Sequence, residues 1–219
     1  MSNLELLTLA RGPILDVALL IFAAGVVLRG FEVFSLGRKA DLSPARPDSP
    51  GSGWQTILSR SIPPPGMINR APATYIAGYI FHLGLFATLF LFAPHIEIIR
   101  DLTGLSWPAL PSGVIDAIAV ASIIALIVLL VDRLNNPVKR LLSGLGDYLA
   151  WTLTLLPLVT GYLAVNHLLL EYTLMLAIHV LSVAALLALL PFTKLFHTFS
   201  VFASRWYNGN IFGRKGVAS

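Results

Sequence analysis

Long apolar runs alternate with short polar connections along the chain. Five of the runs are long enough for a helix to cross the hydrocarbon core of a bilayer, which takes about 20 residues. The pattern predicts an all-α membrane bundle of five transmembrane helices, with residues 1–219 forming a single domain. The predicted spans are about Pro13–Phe34, Ala73–Ala93, Gly113–Val131, Gly146–Val165 and Tyr172–Leu190, the last continuing past Pro191 towards His197.

Composition supports a polytopic membrane protein. Of the 219 residues, 56% are hydrophobic and only 12% are charged, and the mean hydropathy is +0.79. These values are far more apolar than those of a soluble domain. The first run is longer than the core of a signal peptide and is not followed by an obvious small-residue cleavage site. We therefore expect it to be retained as the first transmembrane helix.

Positive charge is concentrated in alternate connections. Of the 15 lysines and arginines, 13 lie near the first connection, in the third, or in the C-terminal tail, which leaves Arg11 and Arg100 for the other side. The positive-inside rule then predicts an outer N-terminus and a cytoplasmic C-terminus in the inner (cytoplasmic) membrane. It also accounts for the net charge of +4 without a nucleic-acid partner.

The first connection, at about residues 37–72, is long and rich in Pro, Gly and Ser, so we expect it to be irregular and cytoplasmic. It is either a flexible linker or a docking surface for a soluble partner. The basic tail carries Arg205, Trp206 and Arg214, a composition that suits a membrane interface or a protein interface.

Several kinds of chemistry are excluded. The chain has no cysteine, so it provides no disulfide, no thiolate metal site and no iron–sulfur cluster on its own thiolates. It has no Gly-rich phosphate loop, no Ser-His-Asp set and no HExxH motif. We expect the chemistry to be that of a bound cofactor.

Histidines are the ionisable groups that point to such a cofactor. The stretch Ala177–His197 reads as one apolar helix in which His179 and His197 are 18 residues apart. That spacing places them on one face, about 27 Å from each other. Ionisable groups inside a membrane commonly mark function, and neutral imidazole is an axial ligand of haem iron. Interfacial or interhelical hydrogen bonds are the structural alternative.

The second and fifth spans run in opposite directions, which places their histidines at matching depths. His82 should lie level with His197, and His95 level with His179, so that each pair could hold one iron. On an ideal helix His82 and His95 are about 220° apart, although Pro94 can kink or end that helix. The pair of His82 with His197 is therefore the stronger one.

Two residues of the fourth span have alternative roles. His167, at its outer end, is the other candidate partner for His179, or else an interfacial hydrogen-bonding residue. Asp147, at its cytoplasmic start, is expected to pair with Arg140 or Lys139 or to cap the helix.

Three segments resemble the cytochrome b gamma subunit of respiratory nitrate reductase. The same domain occurs in membrane cytochromes of sulfite-reductase-linked and heterodisulfide-reductase complexes. FHLG at Phe81–Gly84 is similar to the family's first ligand motif, and GDYL at Gly146–Leu149 to the start of its fourth span. IH followed by PFTKLFH in Ile178–His197 is similar to its final ligand pair. The resemblance covers essentially the whole chain.

The resemblance implies two b haems stacked across the bilayer. They would take electrons from quinol near the outer haem and pass them through the inner haem to a cytoplasmic iron–sulfur protein or molybdoenzyme subunit. His82 and His197 match the inner ligands, and His179 matches one outer ligand.

The family's remaining outer ligand falls at Phe92 in this chain. His95 or His167 then takes its place, or the chain binds a single haem. The quinone pocket is expected beside the outer haem, where the available polar groups are Glu97, Arg100, Asn166 and His167.

Two other functions fit the same residues. One is a heterodisulfide-reductase-like cytochrome that exchanges electrons, in either direction, with a sulfur- or disulfide-handling iron–sulfur partner. The other is a haem-free membrane anchor or transporter whose histidines serve a proton pathway. As a cytochrome, the chain would be an electron-transfer subunit of a quinone-linked oxidoreductase rather than a whole enzyme.

Overall fold

A computed structural model describes residues 1–35, 43–46 and 52–217. None of these residues lies in a strand. Five helices are long and apolar enough to span a bilayer, so the predicted all-α bundle of five transmembrane helices is confirmed and the protein is a multi-pass membrane protein. The spans are Asn3–Ser35, Ala73–Leu91, Ser112–Asn135, Leu145–Val165 and Tyr172–Phe192.

Three of the spans include a turn that is not α-helical. A π-helical turn at Ala10–Ile14 lies between α1 and α2, and another at Ala73–Ala77 precedes α5. Two 3₁₀ turns, at Leu190–Phe192 and Lys194–Phe196, lie between α10 and α11. The α-helices are α1 (Asn3–Leu9), α2 (Leu15–Ser35), α3 (Gly53–Ser59), α4 (Met67–Arg70), α5 (Gly78–Leu91), α6 (Ala93–Thr103), α7 (Ser112–Asn135), α8 (Pro137–Leu142), α9 (Leu145–Val165), α10 (Tyr172–Leu189) and α11 (His197–Arg214).

The first span begins at Asn3 rather than at the predicted Pro13. Ser2 caps it, because its hydroxyl accepts from the Glu5 N–H at 3.2 Å while the Glu5 carboxylate accepts from the Ser2 N–H at 2.8 Å. Pro13 does not end the span, since it lies in a π-helical turn where Gly12 leaves helical backbone angles (φ −95°, ψ −108°).

The second span ends at Leu91, and one residue, Phe92, separates α5 from α6. Phe92 is extended (φ −87°, ψ 127°). Pro94 lies in the first turn of α6, where its missing N–H costs nothing because an N–H at that position has no intrahelical acceptor. His82 and His95 therefore lie on different helices, and the separation of about 220° expected on one continuous helix does not apply to them.

The prediction of one continuous helix over Ala177–His197 is wrong. Pro191 cannot donate the next backbone hydrogen bond, and α10 gives way to the first 3₁₀ turn. Thr193 is then extended (φ −116°, ψ 178°), and His197 is the first residue of α11. The ideal-helix separation of His179 and His197 does not describe this segment.

The spans pack in the series α2, α10, α9, α7 and α5, each against the next. Among the described residues, α5 and α10 are not in close packing contact with each other, although both carry candidate histidines. The contact of α5 with α7 is tight, since a Cβ on Gly84 would lie 1.9 Å from Ser122 Oγ. Gly84 therefore serves helix packing.

Helix ends form two groups, one at each end of the bundle. At the end that carries most of the basic residues, here called the basic end, Arg29 of α2 donates to the Pro191 carbonyl at 3.2 Å. At the opposite end, Asn3 donates to the Glu171 carboxylate at 3.1 Å. The chain thus alternates between the two ends.

The first connection is less irregular than expected, because it contains α3 and α4. Its residues 37–42 and 47–51 lie outside the described part of the chain. Helix α3 packs tightly on α11, where a Cβ on Gly209 would lie 2.3 Å from Thr56 Oγ1. The C-terminal tail is therefore a helix held by the first connection.

Candidate functional site

Four of the five histidines form two facing pairs. Toward the basic end, His82 of α5 faces His197 of α11, with ring centroids 6.2 Å apart and ring planes at 78°. Toward the opposite end, His95 of α6 faces His179 of α10, with centroids 6.4 Å apart and planes at 17°. These are the two pairs that the matching depths of the antiparallel spans predicted.

In the basic-end pair, each imidazole is fixed by a carbonyl of its own chain segment. Nδ1 of His82 lies 2.7 Å from the Gly78 oxygen, and Nδ1 of His197 lies 2.8 Å from the Lys194 oxygen. A carbonyl only accepts, so both Nδ1 atoms carry the proton and a neutral ring keeps its lone pair on Nε2. Both residues are exposed.

The opposite pair is fixed in a related way but is half-buried. His95 Nδ1 donates to the Thr88 carbonyl at 2.9 Å, across the break between α5 and α6. His179 Nδ1 lies 3.2 Å from Thr160 Oγ1, whose own proton is donated to the Leu156 carbonyl at 2.7 Å. The hydroxyl therefore accepts from His179, and Nε2 again keeps the lone pair.

The spacing of each pair fits one metal ion. With metal–nitrogen bonds of about 2 Å, two axial imidazoles have ring centroids roughly 6 Å apart, close to the 6.2 Å and 6.4 Å found here. Within residues 1–35, 43–46 and 52–217, no group of three or more His, Asp or Glu is placed to hold a metal ion. A metal at either pair would need further ligands, such as the four nitrogens of a porphyrin.

Two residues of α9 that the sequence did not single out support His179. Gly161 lets the imidazole lie against the helix backbone, because a Cβ there would be 3.0 Å from His179 Cε1. Thr160 provides the acceptor for Nδ1, and Ser182 Oγ lies 3.1 Å from that hydroxyl. The sequence signal that could have identified them is a Thr-Gly pair inside an otherwise apolar span.

An ion-pair network holds the turn before His197. Asp147, at the start of α9, lies 2.7 Å from Lys194 Nζ and 3.4 Å from Arg133 Nη1. The Lys194 carbonyl accepts the Nδ1–H of His197, so Asp147 anchors the residue that orients that imidazole. The segments GDYL and PFTKLFH, both part of the sequence resemblance, are therefore in direct contact.

One of the two roles expected for Asp147 is confirmed. Its carboxylate accepts from the Gly144 N–H at 3.0 Å and so caps α9. The predicted partners are wrong. Lys139 pairs with Asp132 instead, and Arg140 forms no ion pair with a described residue.

His167 is not brought to either pair. It lies in the turn after α9 with a left-handed backbone (φ 53°), and its ring packs on Tyr172 with centroids 4.9 Å apart. Of the two candidate partners for His179, the structure therefore brings His95 into contact.

The polar groups expected around a quinone do not converge on one another. Arg100 pairs with Asp101 at 3.4 Å. Asn166 donates to the carboxylate of Asp116, near the start of α7, at 3.4 Å. Among the described residues, no hydrogen bond, ion pair or ring contact joins Glu97 or Arg100 to Asn166 or His167. Each of these residues therefore stays a candidate quinone contact on its own, without forming a common site with the others.

A cavity of about 1150 Å³ adjoins the basic-end pair, between the start of α5, α11 and residues 59–65 of the first connection. His197 lines it. Two hydrogen bonds fasten the connection there: the Tyr79 hydroxyl donates to the Ser61 carbonyl at 2.7 Å, and Arg205 donates to Ser61 Oγ at 2.9 Å.

Comparison with known proteins finds a relative that matches most of the chain. The chain is 30% identical over 200 residues to a protein of Nitratidesulfovibrio vulgaris whose name reads only "Protein", and the match covers 89% of this chain and 88% of the relative. No family model matches the chain, and no solved structure does.

Proposed function

The chain belongs to the same family as the Nitratidesulfovibrio vulgaris protein, and we propose that it is a membrane cytochrome b subunit. It would exchange electrons between the quinone pool and a cytoplasmic iron–sulfur or molybdenum partner. The observation that carries this proposal is the presence of two facing imidazole pairs at two depths, each with the spacing of two axial ligands.

In this proposal His82 and His197 hold one b haem, and His95 and His179 hold the other. A haem supplies one-electron chemistry when it is bound. The chain's part is to fix four imidazoles by hydrogen bonds from Nδ1, which orients the rings and raises the basicity of Nε2. Each haem would be held by two imidazoles, which would suit electron transfer rather than binding of a substrate to the iron.

The charge distribution supports an orientation. Because 13 of the 15 lysines and arginines belong to the connections and tail of the basic end, that end faces the cytoplasm in our proposal, in the inner membrane. The chain has no cysteine, so an iron–sulfur cluster that accepts or supplies electrons belongs to a partner. Quinone would bind near the opposite pair, with Glu97, Arg100 and Asn166 as candidate polar contacts.

Two alternatives are separated by experiment. A heterodisulfide-reductase-like cytochrome would use the same haem sites and differ in its partner. A haem-free transporter would use the histidines to carry protons, and it would not require pairs at matching depths with the spacing of axial ligands.

Reduction by quinol tests the proposal. Purified protein should show b-type bands in a reduced-minus-oxidised spectrum after addition of a quinol analogue. We expect His95→Ala to lose one haem and with it rapid reduction by quinol, because the quinol-side ligand pair is broken. His167→Ala is the matched control for haem content and should retain both haems, because its ring packs on Tyr172 and belongs to neither pair. Absence of b-type bands with dithionite would reject the cytochrome, whereas reduction by dithionite alone would reject the quinone partner.

A further inference from the structure

The cavity beside the basic-end pair contains two arginines without counter-ions. Arg60 and Arg205 both line it, and none of its lining residues is Asp or Glu. Arg205 donates to Ser61 Oγ at 2.9 Å and forms no ion pair with a described residue. The Arg60 backbone N–H donates to the Thr56 carbonyl at 3.1 Å, but its guanidinium group bonds to no described residue. Two guanidinium groups in one cavity without a carboxylate indicate an anionic ligand, because guanidinium matches carboxylate or phosphate oxygens with paired hydrogen bonds.

The cavity and the histidine pair share the same helix faces. On α5, Tyr79 lines the cavity three residues before His82, so the two lie on neighbouring positions of one face. On α11 the lining residues follow one another at intervals of one or three, which keeps them on one side of the helix. They are His197, Ser200, Val201, Ser204, Arg205 and Asn208.

We propose that Arg60 and Arg205 bind the two carboxylates of the haem held by His82 and His197. This inference rests on the proposed function, because a b haem carries two propionates and the cavity supplies two unpaired cations beside a proposed axial ligand. The volume of about 1150 Å³ leaves room for a large ligand there. Polar neighbours such as Tyr75 and Ser204 add hydrogen-bond donors around the arginines.

This assignment gives residues 59–65 of the first connection a role in ligand binding. The three consecutive prolines at residues 63–65 line the cavity and restrict the backbone there. The two hydrogen bonds of Ser61 tie this segment to α5 and to α11. The segment thus lines one side of the cavity and contributes Arg60, while α11 contributes Arg205.

Arginine substitutions in the full-length protein test the assignment. The variants are Arg60→Gln, Arg205→Gln and the double variant, and the matched control is Arg140→Gln, an exposed cation of α8 that does not line the cavity. In the double variant we expect one of the two haems to pass to excess apomyoglobin about tenfold faster. The midpoint potential of that haem should fall, because removing positive charge favours the ferric state. Arg60→Lys should restore part of both effects.

The second haem is an internal reporter of folding and should be unchanged in all variants. Equal transfer rates and potentials in wild type, the Arg140→Gln control and the double variant would overturn the carboxylate role and leave the cytochrome proposal standing. Wild-type protein without haem would reject the cytochrome itself. Should Arg205→Gln disturb the fold, Arg60→Gln decides alone, since the Arg60 side chain makes no bond to a described residue.

Discussion

The two histidine pairs depend on different kinds of structure. In the basic-end pair, His197 follows a broken helix, is held through a turn that Asp147 anchors, and is exposed. In the opposite pair, His179 lies within the regular helix α10 and is seated on Thr160 and Gly161 of α9. The ring planes differ as well, at 78° in the first pair and 17° in the second. One pair therefore relies on connections and ion pairs, and the other on helix packing, so each should respond to its own set of substitutions.

Removing one histidine from each pair should have the largest effect. Under the proposed function, His197→Ala and His179→Ala each lose one of two haems, because a single imidazole remains at the altered pair. The surviving haems should differ in their ferric electron paramagnetic resonance spectra. Nearly perpendicular imidazole planes leave two iron d orbitals close in energy, so the haem left in His179→Ala should give the more anisotropic low-spin signal.

Indistinguishable spectra of the surviving haem in the two variants would contradict the difference between the pairs. His167→Ala provides the control, since its ring packs on Tyr172 and contacts neither pair. It should retain both signals.

Asp147→Asn should affect the basic-end pair alone. It removes the charge that holds Lys194 and Arg133, at a cost of about 1 kcal/mol given how exposed those two cations are. We expect weaker retention of the haem at His82 and His197 and a lower melting temperature. Asp132→Asn is the matched control, because Asp132 pairs with Lys139 at the same end. Equal haem loss in the two variants would show that Asp147 does not position His197.

Gly161→Ala should affect the opposite pair alone. The new Cβ would lie 3.0 Å from His179 Cε1, so the ring must shift by a few tenths of an ångström. Such overpacking costs about 1 kcal/mol, and we expect a changed spectrum and potential for the haem at His95 and His179. The control is Gly30→Ala in α2, where a Cβ meets nothing within 4 Å. A displaced signal from the basic-end haem would contradict the separation of the two pairs.

Glu171→Gln should have the smallest effect and concerns neither pair directly. The backbone N–H of Thr173, followed by its side chain, lowers the pKa of Glu171 below its ordinary value at the start of α10. A carboxyl group whose pKa is lowered by folding stabilises the folded protein at any pH above its pKa in the unfolded chain, which is about 4.3. This stability is lost as the pH falls through the pKa of the folded protein. Wild type should therefore lose slightly more thermal stability than the variant on acidification. An equal loss of thermal stability in both proteins on acidification would show that the Glu171 carboxylate does not stabilise the start of α10.

The sequence predicted best what depends on apolar length and depth. Five spans follow from the hydrophobic runs, and the pairs of His82 with His197 and His95 with His179 follow from antiparallel depth alone. Local rotation misled the argument about His95, because the extended residue Phe92 resets the direction of the chain after α5.

Details that depend on tertiary contacts were not predictable in the same way. Pro191 breaks the fifth span, and the partner of Asp147 lies 47 residues away at Lys194. The packing of α3 on α11 depends on the absence of side chains at Gly53 and Gly209, whose role is visible only when the two helices are together. The polar residues expected around a quinone were chosen by depth, which does not determine whether side chains meet.

Haem content is the most direct test of the central claim that each histidine pair holds one haem. Protein purified from a haem-replete host should contain two b haems per chain by quantitative pyridine haemochrome spectra, and a variant in which all four paired histidines are alanine should contain none. Wild-type protein that is folded, shown by its helical circular dichroism, and yet contains no b haem would contradict the account.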